Sequence, residues 1–165
     1  MKNFLTQAFL ISLFFLLTSF PTSAFEAGAS AVTQNQKQDE RIVKLRGFLE
    51  FYNSPLSDFA PVFIKTADKY ALDWKLIPAI AGVESTFGKA IPYNSYNAYG
   101  WAGGEYVFAS WEDSIEIVSR ALRANYYNRG LNSVTKISSV YCPPNKSWGE
   151  KVQYFMNKLE NFSPK

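Results

Sequence analysis

The chain contains no histidine and a single cysteine, Cys142. Their absence removes whole classes of chemistry. A Ser-His-Asp triad, a Cys-His nucleophile pair and a His general base are excluded, as is an intramolecular disulfide framework. Zinc sites built from His or several Cys are excluded too. Only a carboxylate cage could hold a cation, and the acids are not clustered at cage spacing, so no metal and no other cofactor is expected. Asp, Glu, Lys and Tyr are left for acid–base work. Glu84 stands out among them by its position. Ile77, Ile80, Ala81 and Glu84 follow one another at i, i+3, i+4 and i+7, so they share one face of a helix. A carboxylate thus ends an apolar stripe, beside Val83 and Phe87. A charge buried there is unfavourable, which favours the neutral acid, the form that a general acid needs. Spacing alone leaves two other readings open: Glu84 at the margin of the stripe facing solvent, or Glu84 paired with Lys89 or Arg120.

Acid–base chemistry on carboxyl groups is often shared by two carboxylates about 5–10 Å apart. Glu105 is the best-placed candidate for a second one. It lies in a stretch, Lys89 to Ala109, that holds Asn94, Asn97, Gly100, Gly103 and Gly104 among six aromatic residues. Glu112, Asp113 and Glu116 fall at or near a helix start, where acids favour the macrodipole, and read as structural. Tyr93, Tyr96, Tyr99, Trp101 and Tyr106 are the flat faces on which pyranose rings stack, unless they fill the core of this small lobe. Ser85 and Asn97 carry groups that can hydrogen-bond a polar ligand, although Asn97 also suits a turn.

The elements that must position these residues are helical. Ile42, Leu45, Leu49 and Tyr52 recur at helical spacing within 41–52, and Phe59, Val62, Phe63, Ala67 and Tyr70 within 58–71. Asp73 suits the N-cap of a helix from Trp74 to Phe87 that carries Glu84, with a slight kink expected at Pro78 and an end at Gly88. Ser110 with Asp113 resembles a capping box ahead of Trp111, Ile115, Val118 and Leu122, with Gly130 as the stop. Val134 to Tyr141 reads as a short helix. Ser147 with Glu150 reads as a second box, before Trp148, Val152, Phe155 and Leu159. Trp111, Trp148 and Phe155 fall on apolar stripes and read as core. Glu105-Tyr-Val-Phe108 reads as one strand of a hairpin. The predicted fold is therefore mostly α, a helical domain with a small inserted Gly/aromatic-rich hairpin lobe.

The 165 residues fit one compact domain behind an N-terminal address. Lys2, an apolar core from Ala8 to Leu17 and the small residues to Ala24 read as a signal peptide over 1–24. That core is about ten residues, short of the roughly 20 that a span needs. An uncleaved Phe4–Phe20 segment would instead be a membrane anchor. Residues 25–40 are polar and lack an apolar period, and read as a disordered linker; 41–165 form the domain. The expected location is outside the cell or in its envelope, in the periplasm or cell wall. A net charge of +3 without basic runs leaves no expectation of nucleic acid as a partner.

The segment Ile77-Pro-Ala-Ile-Ala-Gly-Val-Glu84-Ser85-Thr-Phe-Gly88 resembles the catalytic helix of the lysozyme-like superfamily. Lytic transglycosylases carry a similar Glu-Ser pair at that helix end. Glu84, Ser85, Phe87 and Gly88 match the pattern of the glucosaminidase family (mannosyl-glycoprotein endo-β-N-acetylglucosaminidase-like). Asn97-Ala98-Tyr99-Gly100 fits the family's next motif, and Phe108-Ala-Ser110-Trp-Glu-Asp-Ser114 is similar to the helix start that follows. Tyr141 looks like its late cleft-lining Tyr. The resemblance spans about 56–162. One departure is Cys142-Pro143-Pro144-Asn145, which replaces the family's usual stretch after the Tyr.

The resemblance implies a lysozyme-like fold, Glu84 as catalytic acid and base, and peptidoglycan glycan strands as the partner. It also implies Ser85, Tyr96, Asn97, Tyr99, Trp101 and Tyr141 as sugar-binding residues. Hydrolysis by a glucosaminidase or muramidase, anhydro-forming transglycosylation, and non-catalytic glycan binding all remain open on the sequence. With an N-acetylated sugar, the 2-acetamido group can serve as internal nucleophile, and Glu84 alone would then suffice.

Overall fold

The computed structural model describes residues 39–141 and 146–164. The expected signal peptide, most of the expected linker and Cys142-Pro143-Pro144-Asn145 lie outside the described residues. The domain is mostly helical, and the described residues contain no β-strand. Among the described residues six α-helices run in order: α1 Glu40–Phe51, α2 Ala60–Tyr70, α3 Leu76–Ser85, α4 Trp111–Asn125, α5 Val134–Tyr141 and α6 Lys146–Glu160.

Each helix begins where its sequence can satisfy free amides or bury a face. The Asp39 side chain accepts from the Arg41 amide at 2.9 Å and starts α1, which buries Leu45, Phe48 and Leu49. Pro61 sits in the first turn of α2, where a missing N–H costs nothing. Asp73 does cap, accepting from the Lys75 amide at 3.0 Å, but only a turn follows it, and α3 starts at Leu76. Pro78 therefore lies in the first turn of α3, and the lost bond that would have kinked the helix does not arise.

The centre of the molecule is α3. Leu76, Ile77, Ala79, Ile80, Ala81 and Gly82 are all buried, and a helix apolar on every side has to be packed on every side. It lies against α6 and α4, while α2 joins α1 to α4 and α5 packs on α6. The Ser110 hydroxyl accepts from the Asp113 amide at 3.2 Å, and Asp113 accepts from the Ala109 amide at 3.1 Å. This is the box read from the sequence, reaching one residue further back than usual. Ile115, Val118 and Leu122 of α4 are buried below it. Ser147 and Glu150, read as a second box, both lie within α6. Met156 joins Trp148, Val152 and Leu159 in the core, and Phe155 packs against it partly buried.

The inserted stretch is not a hairpin. Glu105–Phe108 pairs as no strand, and the only regular piece between α3 and α4 is a 3-10 turn, Trp101–Gly104. The reason lies in Asn97. Its side-chain amide donates to the carbonyls of Trp101 and Tyr106 at 2.9 and 3.0 Å, and its oxygen accepts from the Trp101 amide at 2.9 Å. One side chain thus takes the bonds that a strand ladder would have taken. A single backbone bond, from the Phe108 amide to the Ser95 carbonyl at 2.9 Å, closes the loop.

Candidate active site

Glu84 occupies the last turn of α3. A carboxylate at a helix C-terminus faces the negative end of the macrodipole, so helix stability does not account for it. The chain turns sharply just beyond. Thr86, Phe87 and Gly88 have φ of +52°, +59° and +82° in succession. Two of the three pay a steric cost of roughly 1–2 kcal/mol each in that left-handed region. Burial of the Phe87 ring offsets much of it, at about 1.5–3 kcal/mol for a full aromatic side chain. That ring meets Phe48, Tyr52 and Phe155 at centroid distances of 5.6, 4.4 and 5.0 Å. It also folds back over Gly82, where a Cβ would come within 2.6 Å of it. The helix end that carries Glu84 is thus held by an aromatic cluster on its far side.

The Glu84 carboxyl is half-buried and is held through one oxygen. Trp148 Nε1, on α6, donates to Oε1 at 2.6 Å. The other oxygen, Oε2, faces Gly100 so closely that a Cβ there would lie 3.1 Å from it. Gly100 has φ +63°, so backbone and contact both require glycine. Neither alternative partner is used: Lys89 Nζ donates instead to the Tyr52 carbonyl at 2.8 Å, and Glu84 makes no ion pair among the described residues.

A pocket of about 230 Å³ opens beside this clamp, lined by Ile80, Tyr99, Trp101, Leu122, Tyr141 and Trp148 among others, and it is mainly apolar. Tyr141 and Trp148 stack with centroids 4.8 Å apart and planes at 34°. Trp148 therefore joins the pocket wall to the carboxyl. Glu84 is not itself a lining residue; it meets the pocket through the indole.

The structure brings Tyr99, Trp101 and Tyr141 together here. Tyr99 is 2% exposed. Burial pushes its phenol well above the ordinary tyrosine range, and Ser114 stands near the hydroxyl without closing a hydrogen bond. Tyr96 lies apart, edge-on to Trp111 at 5.3 Å.

Two residues expected to bind sugar, Ser85 and Asn97, are buried and hydrogen-bonded within the protein. The Ser85 hydroxyl is buried, accepts from the Gly88 amide at 2.8 Å and stands 2.9 Å from the Ala98 carbonyl. Asn97 is 2% exposed, with both amide hydrogens and its oxygen committed to the lobe. Neither side chain is turned outward to a ligand. Glu105 is exposed, and its carboxylate makes no hydrogen bond or ion pair among the described residues. Glu116 accepts from Lys69 and Tyr70, which hold its carboxyl below the usual range, and serves to join α4 to α2.

Trp148 is the residue that sequence reasoning missed. Its place on the apolar stripe of α6 explains its burial and says nothing of its N–H. The available signal was general: a buried indole N–H usually has a partner.

Among the described residues no group of three His, Cys, Asp or Glu is placed to hold a metal ion, and no helix is long and apolar enough to cross a membrane. No protein-family model matches this chain, and no curated protein matches it at a significant level.

Proposed function

We propose that this chain is an envelope or secreted enzyme that cleaves peptidoglycan glycan strands, on a lysozyme-like fold. Glu84 is its general acid and base, in the manner of an endo-β-N-acetylglucosaminidase. The observation that carries the reading is the Glu84 carboxyl itself. It stands at a helix end where it does not serve helix stability, is gripped by Trp148 and Gly100, and adjoins a pocket walled by Tyr99, Trp101 and Tyr141. Flat apolar walls beside a single acid suit a pyranose with a scissile bond.

The exposed, unpartnered Glu105 favours chemistry with one carboxylate. Glu84 as the acid gives its proton to the glycosidic oxygen, and the C1–O bond breaks. The acetamido oxygen of the same sugar closes onto C1. Water then attacks C1 and returns a proton to Glu84, which reopens that ring; the net change is addition of one water across the bond. If the 6-hydroxyl of the sugar attacks instead, the same carboxylate takes its proton and an anhydro sugar leaves, which is transglycosylation.

Mass spectrometry of digests of purified peptidoglycan tests the reading. A reducing N-acetylglucosamine end marks a glucosaminidase, a reducing N-acetylmuramic end a muramidase, and an anhydro end a transglycosylase. Glycan-strand affinity with no new ends would replace the enzyme by a binding module.

A further inference from the structure

We infer that Trp148 is the positioning residue for the Glu84 carboxyl, and that the transferable proton is carried on Oε2, the oxygen facing Gly100. The inference rests on the reading of Glu84 as the acid and deepens it. An indole N–H can only donate. Because Nε1 points at Oε1 from 2.6 Å, Oε1 is engaged as an acceptor in the acid and in the carboxylate alike. The proton of the acid form therefore sits on Oε2. That oxygen looks onto Gly100, which has no side chain.

Two further features fit this role. Trp148 is 6% exposed and stacked on Tyr141, so the indole has little freedom to swing away. It also comes from α6, which packs directly on α3, so donor and acceptor sit on two helices that hold each other in place. A carboxyl without this donor would rotate about its terminal bond, whose energy profile is broad. Oε1 and Oε2 would then exchange places, and the acid would meet the leaving oxygen in the right orientation only part of the time. Misplacement of a reacting group by about 1 Å costs on the order of 10²-fold in rate.

The experiment uses the whole domain with purified peptidoglycan as substrate. Trp148→Phe removes the donor and keeps a ring. A second variant, with β-(3-benzothienyl)alanine at position 148, keeps the bicyclic shape and replaces only the N–H by sulfur. The expected result for both is a fall in kcat of about 10–10²-fold with little change in KM. The benzothienyl variant should melt like the wild type, so a failure of Trp148→Phe to fold does not blunt the test.

A readout independent of turnover is the indole region of the proton–nitrogen NMR spectrum, where four tryptophans give four signals. With Glu84 ionised, the Trp148 signal should lie furthest downfield, because its acceptor is then a carboxylate, and should move upfield in Glu84→Gln, whose acceptor is neutral. A benzothienyl variant with undiminished kcat, in a protein that Glu84→Gln inactivates, overturns the positioning role and leaves the proposed function standing. So does a Trp148 signal that ignores Glu84→Gln. A wild-type domain that releases no glycan ends removes the function itself, and the positioning role with it.

Discussion

The hydroxyl of Ser85 lies 2.9 Å from the carbonyl oxygen of Ala98, joining the last turn of α3 to the inserted lobe across 13 residues of sequence. The same oxygen accepts from the Gly88 amide at 2.8 Å, so one buried hydroxyl ties helix end, left-handed turn and lobe together. Its neighbour in sequence, Glu84, therefore stands in a frame made rigid from both sides. Ser85→Ala would leave a buried amide and a buried carbonyl short of a partner. We expect a loss of about 1–3 kcal/mol, read from denaturant unfolding, with glycan cleavage reduced through the loosened lobe. A Ser85→Ala protein as stable as the wild type would show that the hydroxyl is not the tie.

Gly100 and Gly130 separate backbone strain from contact with the acid. Both have positive φ, +63° and +77°, but a Cβ at 130 meets nothing within 4 Å, whereas one at 100 meets Oε2 of Glu84 at 3.1 Å. Alanine at either position should cost about 1 kcal/mol of stability. Only Gly100→Ala should also lower turnover, by on the order of 10²-fold, since it displaces the carboxyl. Equal turnover in the two variants would remove Gly100 from the site.

Gly82 tests the aromatic support beneath the turn. Its missing Cβ leaves room for the Phe87 ring, which it would otherwise meet at 2.6 Å. Gly82→Ala should destabilise by about 1–3 kcal/mol through overpacking. In a Phe87→Leu background the penalty should shrink, because the shorter side chain does not reach as far. A penalty of the same size in both backgrounds would place the strain elsewhere.

Arg41 bridges Asp39, the cap of α1, to Asp68 on α2, with contacts at 2.6 and 2.7 Å. Its guanidinium holds both carboxyls below their ordinary value of 3.8. A carboxyl depressed in the folded state stabilises the fold above its unfolded value and loses that contribution as pH falls through the folded one. All three side chains are at least a third exposed, so solvent screening limits the gain to at most about 1 kcal/mol. Arg41→Met should therefore lower the melting temperature slightly at neutral pH, and the difference should close as pH drops below 3.8. A difference that persists unchanged in acid would assign it to packing of the Arg41 stem.

The helices were legible because burial imposes the 3.6-residue period on their sequences. Residues such as Ile115, Val118 and Leu122 announce a face wherever they occur. Glu84 was legible for the same reason, as a polar interruption of such a face. The lobe was misread because Glu105-Tyr-Val-Phe108 has strand-like residues, while what decides its path is a side chain eight positions earlier, Asn97, bonding to backbone. Ser85 and Asn97 were assigned to a ligand by residue type, and type does not tell whether a polar group faces outward or closes the interior. Trp148 was hidden by the opposite limit. Its ring satisfies the apolar pattern of α6, and the N–H that reaches Glu84 leaves no mark on that pattern.

Cleavage of purified peptidoglycan by Glu84→Gln, measured beside its thermal melt, tests the central claim most directly. The substitution keeps the size of the side chain and an acceptor for Trp148 Nε1, but it cannot deliver a proton. Glycan-end release should fall by at least about 10²-fold, the lower part of what a general acid contributes. The melting temperature should hold or rise, because a half-buried ionisable group has been replaced by a neutral one. Full release of glycan ends by a Glu84→Gln protein that melts like the wild type would contradict the account.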